Sequence, residues 1–124
     1  MLHLDLHDPR PMYEQVIDQI ETLVARGVLP ADSRLPSVRQ MAMELSLNPN
    51  TVQKAYSELL NRGVIYSVRG KGNYISGDRM KIRQEKMQSI RETIMELMRQ
   101  AKEMGATAEQ CNALLQSCME VNQT

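Results

Sequence analysis

The sequence predicts a mainly α chain with one small β-hairpin: a winged helix-turn-helix followed by a C-terminal helical hairpin. Three observations predict it. Asn48-Pro49 opens a helix whose apolar and polar residues fall on opposite faces, and a β-hairpin pattern with Arg69-Gly70-Lys71-Gly72 at its tip follows directly. Beyond Gly77 the apolar residues change to alternating three- and four-residue steps, the spacing of a helical seam.

Taken in order, Leu2, Leu4 and Leu6 alternate and predict a short strand. Pro11 suits a helix start, and Met12, Val16, Ile17, Ile20, Leu23 and Val24 supply its buried stripe. Gly27 is the expected C-terminal stop. Ser37 and Gln40 are spaced as a capping box, opening a second helix with Val38, Met41, Ala42 and Leu45 inside. Ser46-Leu47-Asn48 is then the tight turn, so residues 37–61 read as a helix-turn-helix.

The third helix is the most informative. Asn48 can accept an orphan N–H of the first turn, and Pro49 costs nothing at the first helical position. Val52, Ala55, Tyr56, Leu59 and Leu60 form one face; Asn50, Thr51, Gln53, Lys54, Ser57 and Asn61 form the other. Amides suit adenine edges, and hydroxyls and lysine suit phosphate. Val64 to Val68 reads as a strand, Arg69-Gly70-Lys71-Gly72 as the turn, and Asn73 to Ser76 as the return strand.

Several of these features together resemble the winged-helix domain of GntR regulators: Tyr13, Gly27, Leu35-Pro36-Ser37-Val38-Arg39, Thr51-Val52, Ala55, Leu59, Gly63 and Gly70-Lys71-Gly72. Asn48-Pro49-Asn50-Thr51-Val52 followed by a short tail is most similar to the YtrA subfamily. The resemblance covers residues 11–75, and the tail by length and pattern. It implies a bacterial repressor, often of a neighbouring transporter operon, with Arg39 as a contact to double-stranded DNA. Together with the polar face of the third helix and the hairpin tip, the expected DNA-binding residues are Ser37, Arg39, Asn48, Asn50, Thr51, Gln53, Lys54, Arg69, Gly70 and Lys71. Many relatives carry arginine where this chain has Pro49 and Gln53. An amide there shifts the expected preference toward adenine.

Charge is segregated. The chain is formally neutral, but residues 34–71 carry six cations (Arg34, Arg39, Lys54, Arg62, Arg69 and Lys71) against Glu44 and Glu58. Residues 1–33 carry Arg10 and Arg26 against six acids. A local positive face is what steers a protein onto DNA. Near-neutrality keeps open a second reading, a winged-helix module that binds protein partners and not nucleic acid.

Ser76-Gly77-Asp78 is the expected domain boundary, dividing a DNA-binding domain at 1–77 from a dimerisation hairpin at 78–124. Met80, Met87, Ile90, Ile94, Leu97, Ala101 and Met104 make an a/d seam, interrupted at Arg83, and Gly105 ends that helix. Thr107 and Gln110 open another, with Cys111, Leu114, Leu115, Cys118 and Val121 as its stripe. So small a tail cannot enclose a core alone, so it is expected to pair with a second copy through Met87, Ile90, Ile94, Leu97, Ala101, Met104, Leu114 and Leu115.

Cys111 and Cys118 share a helix face and are expected in the core, with a metal or redox switch as the alternative. His3 and His7 beside Asp5 and Asp8 read as a solvated segment, a metal site being the thinner reading. The tail methionines are either core or the lining of an effector pocket, and no effector is identifiable. No nucleophile–base or paired-carboxylate arrangement occurs, so neither catalysis nor a cofactor is expected. No run of about 18 apolar residues spans a membrane, and Met1-Leu2-His3-Leu4-Asp5 lacks the basic segment and apolar core of a signal peptide. With two cysteines and ten methionines, a reducing cytoplasm is the expected compartment.

Overall fold

In the computed structural model the described residues are 2–121. Five helices and one hairpin follow in order: α1 (Met12–Ala25), α2 (Val38–Leu45), α3 (Pro49–Asn61), β1 (Ile65–Val68), β2 (Gly72–Ile75), α4 (Arg79–Glu103) and α5 (Ala108–Val121). Two compact units divide them, residues 1–86 and residues 87–124. No helix among the described residues is long and apolar enough to cross a membrane.

In the first unit α1 and α2 both pack on α3, and β1 closes the far end of α3. The predicted stripes meet in one core: Val16, Ile17, Ile20 and Val24 from α1, Met41 and Ala42 from α2, and Val52, Ala55, Tyr56 and Leu59 from α3. Ile65 and Ile75, paired across the hairpin, face the same core. With no Phe or Trp in the chain, Tyr56 is the largest fully buried side chain.

Helix ends are fixed by local chemistry. Gly27, at φ 78°, ends α1: its N–H reaches Val24 O and the N–H of Val28 reaches Leu23 O, which together satisfy two orphan carbonyls. A Cβ there would also lie 2.8 Å from the guanidinium of Arg79, which donates to Ala25 O. The end of α2 uses the same geometry with Ser46, a non-glycine at φ 55°. Ser46→Gly is therefore expected to raise stability by up to about 1 kcal/mol, relief of left-handed strain exceeding the extra unfolded-chain entropy. Chemical denaturation measures this; a loss of stability would show that the serine hydroxyl matters more than the backbone.

The expected N-terminal strand does not form. Leu2 reaches the core and Leu4 packs against it, whereas Leu6 is exposed. Two α1 amides take the place of a partner strand. The N–H of His3 donates to Gln19 Oε1, and Gln19 Nε2 donates back to His3 O. The N–H of Asp5 donates to Gln15 Oε1, while Gln15 Nε2 donates to Asp5 O and Arg10 O. A carboxamide offers the same donor and acceptor as a peptide unit, so one extended segment is held without a sheet. This explains why Gln15 is a buried polar residue, 1% exposed.

The expected boundary at Ser76-Gly77-Asp78 lies short of where the compact unit ends. Ile82, on the first turn of α4, is 4% exposed within the core, and the unit runs to Lys86. Lys86 pairs with Asp18 and, at 3.3 Å, with the buried Glu21. Glu21 also accepts from Arg62 at 3.1 Å, and Arg62 bonds Glu58. One arginine and one lysine thus neutralise an acid that burial alone would make costly.

In the second unit α4 continues to Glu103, and Gly105 turns the chain toward α5. Thr107 and Gln110 form a complete capping box: each backbone N–H is bonded by the other's side chain, at 2.8 and 3.1 Å. The seam is open. Met87, Ile90, Ile94, Leu97, Met104, Leu114 and Leu115 are all exposed, and Ala101 is half-buried. Cys111 is buried as expected, but Cys118 is exposed, so the expectation of two core cysteines holds for one only.

Candidate nucleic-acid interface

The face of α3 opposite the core presents Asn50, Gln53, Lys54, Ser57 and Asn61 to solvent, with Thr51 half-buried. Asn48 is the N-cap, its side chain accepting the N–H of Asn50 at 2.8 Å. Its carboxamide N–H₂ makes no hydrogen bond among the described residues. Gln53 Nε2 donates to Ser57 Oγ at 3.2 Å, one turn along the same face. That bond holds the amide along the helix, with its Oε1 free to accept.

Lys54 is placed by a residue the sequence did not connect to it. Its Nζ stands 3.9 Å from the centroid of the Tyr13 ring, a cation–π contact between α3 and the first turn of α1. An aromatic side chain forty-one positions away carries no local signal of this contact. Tyr56, from the buried face, donates its phenol to Pro36 O at 2.8 Å. Burial, and to a lesser degree the Glu44 carboxylate, push its pKa upward, so the phenol stays a donor. This bond ties α3 to the residue that precedes the α2 cap.

At that cap, Ser37 Oγ accepts the N–H of Gln40 at 3.1 Å, which is one half of the predicted capping box. Ser37 and Arg39 are both exposed. The hairpin turns at Arg69-Gly70-Lys71, where the N–H of Lys71 bonds Val68 O at 2.9 Å and all three residues are exposed. Tyr66 and Tyr74 stack on the outer face of the hairpin, centroids 5.7 Å apart, and Tyr66 donates to Asp32.

The ion pairs sort the cations of the helix-turn-helix. Arg62, counted in the positive segment, is spent on Glu21 and Glu58 and adds no free charge. Arg34, Arg39, Lys54, Arg69 and Lys71 make no ion pair among the described residues. The basic segment is therefore one cation weaker than its composition implies, and its remaining charge lies on α3, the start of α2, the hairpin and Arg34 ahead of α2.

A family model for bacterial regulatory proteins, gntR family, matches residues 12–75. The chain is 38% identical over 110 residues to the HTH-type transcriptional repressor YtrA of Bacillus subtilis (strain 168), spanning 88% of this chain and 85% of that one. Its fold is similar to that of a transcriptional regulator from Oenococcus oeni, with TM-score 0.78 and 30% identity over 96% of this chain and 99% of the other. It is also similar to AraR(DBD) in complex with operator ORX1, with TM-score 0.55 and 25% identity over 60% and 96% of the two chains. The chain belongs to the gntR family of bacterial regulatory proteins, similar to its YtrA-type members, and is a transcription regulator and not an enzyme.

Proposed function

We propose that this protein is a sequence-specific DNA-binding repressor that acts as a homodimer on a palindromic operator. The observation that carries it is the exposed polar face of α3, lying in one unit with the unpaired cations of the α2 cap and the hairpin tip. In this reading α3 enters the major groove with Asn50 and Gln53 at base edges. Thr51, Lys54, Arg39, Ser37 and Asn48 meet phosphates, and Arg69-Gly70-Lys71 lies on the adjacent backbone or minor groove. A neighbour bound to its operator and a similar repressor support DNA as the partner and repression as the outcome.

The open seam from Met87 to Met104, with Leu114 and Leu115, supports dimerisation. Soluble monomers seldom leave so much contiguous apolar surface uncovered. A two-fold dimer then reads a two-fold operator. The genes controlled are proposed to include a neighbouring transporter operon, and the protein to work in the cytoplasm. Mobility shift on the protein's own promoter region tests the core of this reading; no shift at low salt would favour the protein–protein alternative.

Neutralising Arg39 or Lys71 is expected to lower affinity on operator and random duplex alike, and to flatten the log–log salt slope by about one per lost contact. Titrations across a salt series measure it. If Lys71→Gln changes neither affinity nor slope, the hairpin tip is not on the DNA.

A further inference from the structure

Among the described residues of the basic segment, Arg34 is an unpaired cation that lies on none of α2, α3 and the hairpin turn. Its backbone bridges Tyr74, so residues 33–35 run as a third edge beside β2; the N–H of Leu35 bonds Asn73 O and the N–H of Ile75 bonds Ser33 O. Leu35 turns into the core, and Arg34 turns outward. Its side chain extends toward the hairpin turn and lies flat against Gly72, where an added Cβ would come within 3.1 Å of Nε and 3.5 Å of Nη2. Gly72 directly follows Lys71. The guanidinium therefore joins the charge of the hairpin tip from the side of the α2 cap, three residues ahead of Ser37.

We infer that Arg34 is a DNA phosphate contact, bridging the positions served by the α2 cap and the hairpin tip. An exposed guanidinium that makes no ion pair among the described residues, laid on bare glycine backbone, has its N–H donors available to an outside acceptor. A phosphate oxygen pair matches that fork. Arg34 carries no base preference: it fixes where the duplex backbone crosses between α2 and the hairpin. The inference rests on the DNA-binding reading above.

The test uses the full chain, a promoter duplex and a random duplex of equal length, titrated over a series of salt concentrations. Arg34→Gln and Arg34→Met both remove the charge, and Met keeps an apolar stem over Gly72. Each is expected to flatten the salt slope by about one on both duplexes and to weaken both to the same degree. Arg34→Lys keeps a charge and is expected to keep most of the slope. Arg26→Gln, a cation at the end of α1, is expected to leave the slope unchanged. Slopes of Arg34→Gln and Arg34→Met equal to wild type would overturn the assignment, as would an Arg34→Lys slope that falls with theirs. Loss on the promoter duplex alone would make Arg34 a base reader and overturn it too. Failure of the wild-type chain to bind either duplex would instead remove the DNA-binding reading itself.

Discussion

Ile94→Glu in the full-length chain is expected to sediment as a monomer and to lose roughly 10²–10⁴-fold in affinity for a complete operator, while binding a half-site about as well as wild type. Ile94 and Leu97 are 43% and 55% exposed within the chain, so a carboxylate at either costs little in the isolated chain and much in an apolar interface. Linking two reading heads raises the local concentration of the second for its half-site, without a new DNA contact. Truncation should act the same way, but the place of the cut matters. Cutting after Gly77 would remove the buried Ile82, a loss on the order of 2–5 kcal/mol for a core aliphatic, together with the Lys86 pairs to Asp18 and Glu21. A cut after Lys86 leaves that unit whole. A Lys86-terminated chain that remains dimeric by sedimentation would place the interface among residues 1–86 and end the tail assignment.

Asn50→Ala is expected to cost about 1–3 kcal/mol in specific binding while leaving random-duplex affinity nearly unchanged. Asn50 is exposed, its backbone N–H is bonded to the Asn48 cap, and its side chain makes no hydrogen bond among the described residues. Its carboxamide is free to offer the paired donor and acceptor that adenine requires. Gln53→Ala should show a similar loss, reduced by release of the Ser57 bond, which base pairing by Gln53 would have to break or share. Competition between operator variants, with adenine changed at each position, locates the base that each amide reads. Equal losses on specific and random DNA would move both residues to the phosphate contacts.

Most of the fold was legible because its determinants are local. Caps at Ser37, Asn48 and Thr107, Pro49 at the first helical position and the left-handed Gly27 act within a turn of where they stand. Stripes at helical spacing pointed to the core residues, because the period of a helix dictates which side chains share a face. The amphipathic division of α3 and the cationic hairpin tip were readable for the same reason, as was the family.

Tertiary structure decided the rest, wherever the partner lies far along the chain. Leu2 to Leu6 alternates like a strand, yet Gln15 and Gln19 supply its hydrogen bonds, and nothing in an alternating pattern says which donor will answer it. Arg62 looked like free charge until Glu21, forty-one residues earlier, was brought against it. Ile82 and Lys86 belong to the first unit because the core needs one more aliphatic side chain and Glu21 a second cation, whereas Gly77 marked only where the chain bends. The sequence by itself determined which surfaces exist: periodicity and capping are properties of short segments. Only the folded chain decided which charges remain free on them, since pairing depends on distance in space.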